Sequence, residues 1–226
     1  MPIHTPLSFA TLRAANILRL PQFKNSFGSV HSKPDGSDWS LSDWFAAILG
    51  ELGETANYLK KIRRGDISMN NIDVRDQLGN ELADIVIYAD LTLFQVKKEM
   101  GFGIGEDVKC FDSLRQSNVK RLQNDDRPND TVNELIVRAG YYFGNAALVA
   151  DIHRGNPATV IDQSYVKSLR VNLCLMIRTI DTIAFLASLK LGDCVAAKFN
   201  SVSERVGADV FITAGDFVVN AKGERL

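Results

Sequence analysis

Hydrophobic residues recur every three or four positions along most of this chain, which is the period of an amphipathic α-helix. The stripe formed by Leu78, Leu82, Ile85 and Leu91 is one example. Glycine, proline and Ser or Thr caps interrupt the pattern and set the helix bounds. Seven helices are predicted, over residues 7–20, from a cap at Ser40 or Ser42 to 64, and over 74–100, 106–122, 131–153, 162–191 and 193–206.

The segments between and after these helices have different compositions. Residues 22–38 are rich in Gly, Ser, Asn and Pro and predict a loop, and residues 124–130 predict a polar linker. In the tail, two apolar runs at 210–212 and 217–219 flank an Ala-Gly-Asp turn, which predicts a small β-hairpin. The expected fold class is therefore all-α, a helical bundle with a small C-terminal hairpin.

The composition changes this picture in three respects. Of the 226 residues 46% are hydrophobic, so a sizeable core is expected. The net charge of −1 argues against a nucleic-acid partner, because such proteins carry a basic excess. Cys110, Cys174 and Cys194 are odd in number and lack C-x-x-C spacing, so we expect reduced thiols and a cytoplasmic location. The chain shows no signal-type leader and no apolar run of about 18 residues, so no membrane partner is expected.

Two pairs of acidic residues, Glu51 with Glu54 and Glu81 with Asp84, carry the most informative chemistry. Residues three apart share one face of a helix, so each pair directs two carboxylates the same way. On two facing helices the carboxylates would converge and raise one another's pKa unless a cation were present. Oxygen ligands suit Mg²⁺, with Mn²⁺ as a substitute, and these ions also take phosphate oxygens. The pattern predicts a metal site that handles phosphate.

Other interpretations of the acid pairs are weaker. One pair at this spacing is common on a solvated helix, but both pairs here are flanked by apolar residues. A carboxylate-bridged di-iron bundle expects E-x-x-H pairs, and His4, His31 and His153 all lie far from the acids in sequence. A non-catalytic helical nucleotide-binding module is a further alternative, although a scaffold has no need of clustered carboxylates.

A faint internal repeat relates the two halves of the chain. Residues 50–66 align without gaps with residues 140–156, and further on Asp90 matches Asp181. In this alignment the four acids face residues without a carboxylate, namely Tyr141, Gly144, Asn172 and Leu175. The alignment predicts an internal duplication in which the first half alone keeps a metal site.

Four short motifs cover much of the chain. They read LRAAN at 12–16, ELGE at 51–54, ELAD at 81–84 and KFNSVSERVG at 198–207. Together they resemble the all-α nucleoside triphosphate pyrophosphohydrolases, the MazG-like and dimeric dUTPase-like superfamily, in its phage or bacterial form. The resemblance implies Mg²⁺-dependent conversion of a (d)NTP to (d)NMP and pyrophosphate, for control of the nucleotide pool.

The resemblance also implies roles for the four acids and leaves the base preference open. Glu51, Glu54, Glu81 and Asp84 would be the metal ligands and catalytic residues, and one of the glutamates would orient or deprotonate the attacking water. A dUTPase-type or dCTPase-type enzyme of narrow specificity is an alternative to a broad one.

One departure from the family pattern concerns the basic KFN element. In short members it closely follows the E-x-x-D helix, but here residues 108–118 occupy that slot without its Lys, and the intact element follows the second repeat. We therefore expect a fused pseudo-dimer packed as one globular unit. Its first half, 1–126, would carry the metal site, and its second half, 127–226, would supply the basic element. Assembly into a homo-oligomer stays open.

The residues expected to contact the substrate each suit one part of a nucleotide. Arg and Lys suit phosphates, and aromatic rings suit the sugar and base. The expected contacts are Lys198, Arg205 and Lys60 for the phosphates, Asn200 and Asn57 for polar groups, Tyr88 for the sugar, and Trp39 or Trp44 for the base. For each of these side chains, packing or simple solvation is the alternative.

Overall fold

The structure is a computed structural model that describes residues 7–23, 39–100, 105–124, 129–155 and 163–226. These residues form seven α-helices, one 3-10 turn and a two-stranded antiparallel sheet, so the predicted all-α bundle with a C-terminal hairpin is confirmed. In chain order the elements are α1 (Phe9–Arg19), the 3-10 turn (Leu20–Gln22), α2 (Leu41–Arg64), α3 (Ile72–Met100), α4 (Gly105–Gln123), α5 (Val132–Gly155), α6 (Gln163–Leu186), α7 (Leu191–Val206), β1 (Phe211–Ile212) and β2 (Val218–Val219).

Local signals account for most helix bounds. Ser40 caps α2 in a reciprocal capping box with Asp43, and Gly65 ends the helix with a φ of 78°. Our prediction that α6 continues to residue 191 is wrong, because the chain turns at Ser188, whose φ is 57°. The N–H of Leu189 donates there to the carbonyl of Ala184, which closes the helix end. Most of the predicted loop 22–38 and the centre of the linker 124–130 lie outside the described residues.

The core forms where α3 and α6 meet the helices around them. The helix α2 packs along α3, α5 packs along α6, and α7 lies against α3. Leu78, Leu82 and Ile85 of α3 are fully buried, as the hydrophobic stripe predicts. Burial of each such side chain contributes roughly 1.5–3 kcal/mol. Packing against α3 therefore holds α2, the other helix that carries acids, in place.

Two buried ion pairs have the same arrangement, one between α1 and α3 and the other between α4 and α6. In α1, Arg13 Nε donates to Asp90 Oδ1 at 2.9 Å, and Asn16 Nδ2 donates to Asp90 Oδ2 at 2.9 Å. In α4, Arg115 donates to both carboxylate oxygens of Asp181, at 2.9 and 3.0 Å. Buried charges need such full pairing, since desolvation otherwise costs several kcal/mol. The aspartates are the two that the sequence alignment matches.

The helix α4 repeats a motif of α1. The segment 108–118 was expected to stand in the slot of the basic element, but it carries Arg115 and Asn118 at the same spacing as Arg13 and Asn16 of α1. The rings of Phe9 and Phe111, which open these two motifs, pack 5.0 Å apart between centroids. The contacts therefore group α4 with α6.

A glycine of α3 lets α7 pack closely against that helix. A Cβ at Gly79 of α3 would lie 2.9 Å from Cys194 Sγ, so the missing side chain permits the close approach of the two helices.

Within the described ranges no single helix is long and apolar enough to cross a membrane. The helices α6 and α7 satisfy that test only as a pair, and the chain bends by 103° between them.

Candidate functional site

A cavity of about 540 Å³ opens between α1, α2, α3 and α7. The acidic pairs enter it from α2 and α3, and the basic element enters it from α7. Its volume lies in the range of small-molecule sites, which run from about 300 to 1,000 Å³. The helices thus bring both predicted charge clusters to one concave surface.

Three carboxylates converge at the floor of this cavity. Glu51 of α2 and Glu81 and Asp84 of α3 each offer an oxygen within 4.8 Å of the others. Glu54 lines the same cavity but is exposed and stands outside this group of three. The structure therefore places all four acids at one site, with three in a tight cluster and the fourth beside it.

The cluster is electrostatically strained in the absence of a cation. Burial raises the pKa of Glu51 to about 8, and the hydrogen bond that it shares with Glu81 and the negative charge of Asp84 act in the same direction. Burial also raises the pKa of Glu81. A proton shared between two carboxylates is what a bound cation replaces, so these residues fit a hard divalent ion.

Lys198 connects the basic element to the acids. Its Nζ lies 2.7 Å from Asp84 Oδ2, and the two side chains are 24% and 13% exposed. Burial raises the pKa of Asp84 even though the ammonium of Lys198 pulls it down. The positive charges of Arg19 and Arg205 also lower this pKa, so three cations oppose the effect of burial on Asp84.

Arg19 also lines the cavity, and sequence reasoning missed it. Its Nη1 donates to the carbonyl of Phe199 at 2.8 Å, and its guanidinium lies 3.5 Å from the centroid of the Phe199 ring. Burial lowers the pKa of Arg19 to about 9. The signal in the sequence is the spacing of Arg13, Asn16 and Arg19, three polar residues that share the inner face of α1. Arg205 of α7 lines the cavity as well and is exposed.

Aromatic side chains form one wall of the cavity. The rings of Trp39 and Trp44 lie 4.4 Å apart, and those of Trp44 and Tyr88 lie 6.2 Å apart. Among the described residues, the buried Trp44 Nε1 has no hydrogen-bond acceptor. Burial, with the negative charges of Asp84 and Glu51, raises the pKa of Tyr88 to about 12, so its hydroxyl stays protonated. The Tyr88 hydroxyl therefore keeps its proton next to the acid cluster, and Trp44 Nε1 is buried within the wall.

Three predicted substrate contacts lie elsewhere. Asn57 and Lys60 are exposed on α2 and do not line the cavity. Asn200 uses its amide on the β1 backbone, since its Oδ1 accepts from Ile212 N at 2.7 Å and its Nδ2 donates to Ile212 O at 2.9 Å. The asparagine of the KFN element thus fastens the hairpin to α7.

The cavity accordingly combines acids from α2 and α3, cations from α1 and α7, and an aromatic wall. Each group comes from a different part of the sequence, and α3 is the element that all of them contact. No family model matches the chain, and comparison with curated proteins and with solved structures gives no match.

Proposed function

We propose that this protein is a Mg²⁺-dependent nucleoside triphosphate pyrophosphohydrolase, which converts a (d)NTP to (d)NMP and pyrophosphate. The observation that carries the proposal is the tight cluster of Glu51, Glu81 and Asp84 beside the ammonium of Lys198 in one cavity. Carboxylates and cations at the same site suit a ligand that is itself anionic and arrives with divalent metal. Triphosphates have this character.

Glu51, Glu81 and Asp84 are the residues that would hold Mg²⁺, with Mn²⁺ as a substitute, and Glu54 stands next to them. A bound divalent ion would neutralise phosphate charge and lower the pKa of a coordinated water. The proton shared by Glu51 and Glu81 would leave as the metal enters, since ligating carboxylates must be ionised.

The cations of the cavity would bind the phosphates, and one of its acids would accept a proton. Lys198, Arg205 and Arg19 surround the acids and would bind the phosphates, the arginines through their planar forks. Glu54 lines the cavity outside the tight cluster, and its carboxylate would take the proton of the attacking water. Water adds to phosphorus, the bridge between the α- and β-phosphates breaks, and pyrophosphate leaves.

The aromatic wall supports a nucleoside as the remainder of the ligand. Trp39 and Trp44 line the cavity with aromatic rings, which would contact a base. Tyr88 lies one helical turn beyond Asp84 and lines the same cavity, which suits contact with a sugar next to the phosphates.

The test is to incubate the protein with each (d)NTP and Mg²⁺ and to separate the products by ion-exchange chromatography or ³¹P NMR. We expect monophosphate and pyrophosphate from the native protein and none from Glu81→Gln. The matched control is Glu204→Gln, an exposed glutamate of α7 that does not line the cavity. Diphosphate and orthophosphate as products, or binding of nucleotides without turnover, would refute the proposal, the latter in favour of a non-catalytic nucleotide-binding module.

A further inference from the structure

A second, smaller cavity lies in the other half of the molecule. Its volume is about 150 Å³, and α4, α5 and α6 line it. Its position mirrors that of the first cavity: Arg121 follows Arg115 in α4 as Arg19 follows Arg13 in α1. Leu175 and Thr179 of its wall are likewise the counterparts of Asp84 and Tyr88 in the sequence repeat.

The electrostatic character of this second cavity is the reverse of the first. No carboxylate is among its lining residues, whereas three arginines are, Arg121, Arg138 and Arg178. Arg138 is 44% exposed at the rim and forms a two-pronged pair with Asp130 at 3.0 and 2.7 Å. The other two guanidinium groups lie deeper, and each is only partly exposed. Asp130 and Glu134 both act on Arg138 at the rim, and the deeper part of the cavity is lined by the guanidinium groups of Arg121 and Arg178 without a lining carboxylate.

Arg121 and Arg178 converge on one neutral oxygen. Asn118 Oδ1 accepts from Arg121 Nη2 at 3.3 Å and from Arg178 Nε at 3.4 Å. The amide is held in this orientation because its Nδ2 donates to the Arg178 carbonyl and to Thr182 Oγ1, both at 3.2 Å. Asn118 is itself 2% exposed. A buried amide therefore draws two like charges together, and within the described part of the chain no carboxylate pairs with Arg178.

We infer that this cavity binds a small phosphate anion, orthophosphate or pyrophosphate, held by Arg121, Arg138 and Arg178. Guanidinium groups recognise phosphate oxygens through paired N–H donors, and Arg121 and Arg178 already direct N–H donors at one oxygen, that of Asn118. The hydroxyl of Tyr142 adds a neutral donor at the same wall. The cavity is too small for a nucleoside triphosphate, and the site is independent of the hydrolase proposed for the first cavity.

The test is calorimetric titration of the full chain in metal-free buffer, with orthophosphate, pyrophosphate and a deoxynucleoside monophosphate as separate ligands. We expect an orthophosphate site that is weakened in the arginine variants below, and weaker binding of the nucleotide at that site, whose small volume does not admit a sugar and base. Arg178→Gln should weaken binding by about tenfold or more, since it removes one charged fork. The matched control is Lys167→Gln, which removes a charge from an exposed position of the same helix and should change affinity by less than about twofold.

Two further variants keep the result interpretable. Arg138→Gln alters an exposed side chain, so it should fold even if Arg178→Gln does not, and it should weaken binding about threefold. Lys198→Ala removes a phosphate contact proposed for the first cavity, so orthophosphate binding that persists in this variant belongs to the second cavity. The inference is overturned if neither anion binds below about 10 mM, if Lys198→Ala abolishes orthophosphate binding, if the nucleotide binds to Lys198→Ala more tightly than both anions, or if the arginine variants lose no more affinity than Lys167→Gln.

Discussion

Lys198 Nζ lies 2.7 Å from Asp84 Oδ2, and this contact joins the last long helix of the chain to the centre of the first half. The lysine belongs to the basic element and the aspartate to the second acid pair, so the contact brings together two motifs that lie far apart in sequence. It also means that removal of α7 would remove the nearest cation from the acid cluster.

Lys198→Ala should weaken binding of the triphosphate about tenfold and leave binding of the free nucleoside nearly unchanged. The reason is that under the proposed function Lys198 would contact phosphate and would have no part in holding a base. The measurement is KM for the triphosphate against the inhibition constant of the nucleoside. Lys190→Ala is the control, because Lys190 is 67% exposed at the start of the same helix. Equal losses for both ligands would separate Lys198 from the phosphates.

The stability of the metal-free protein should fall as the pH rises through about 8, and Glu51 should be a main cause. The pKa of Glu51 is raised from 4.5 to about 8 in the folded protein. Its protonated form therefore stabilises the fold at pH 4.5 and below, and this contribution is lost as the pH rises through about 8. Glu51→Gln removes the titration.

The measurement for this effect is the melting temperature in EDTA between pH 5 and pH 9, for the native protein and Glu51→Gln. We expect a steeper decline for the native protein and a rise on addition of Mg²⁺ at the alkaline end. Parallel curves for the two proteins would show that Glu51 is an ordinary, solvated glutamate.

Asp90→Ala and Asp181→Ala should each destabilise the protein by about 3–5 kcal/mol, because each leaves a buried guanidinium without its partner. The side chains of Arg13 and Arg115 are 7% and 4% exposed. Urea denaturation measures the loss. Asp130→Ala, which breaks an exposed pair with Arg138, should cost no more than about 1 kcal/mol. Similar costs for all three substitutions would contradict the structural role of the buried pairs.

Asn200→Ala should lower stability by about 1–3 kcal/mol and change KM little. The substitution leaves the backbone N–H and carbonyl of Ile212 without their side-chain partners. Thermal unfolding and steady-state kinetics together check this. A large rise in KM with unchanged stability would instead restore the sequence-based expectation that Asn200 contacts the substrate.

The helices and the acid pairs follow from the sequence because their signals are local. The period of the apolar residues places α3, and Ser40 and Gly65 mark the ends of α2 through cap chemistry. Because α2 packs along α3, acid pairs on the facing sides of the two helices lie close together, and three of the four carboxylates converge.

The remainder of the site depends on tertiary contacts that no local pattern encodes. Arg19 precedes a Leu-Pro stop and resembles a solvated helix end, but packing over Phe199 buries it at the cavity. Asn200 lies within the basic element, but its amide is used by β1. The pairing of Arg115 with Asp181 repeats that of Arg13 with Asp90, and this correspondence becomes visible only when the partners are known.

The most direct test of the central claim is anomalous diffraction from crystals of the protein grown or soaked with Mn²⁺, with Asp84→Asn as the comparison. We predict a strong peak among the carboxylates of Glu51, Glu81 and Asp84 that is lost or much weakened in the variant. A saturated crystal with no peak between these three side chains would contradict the account.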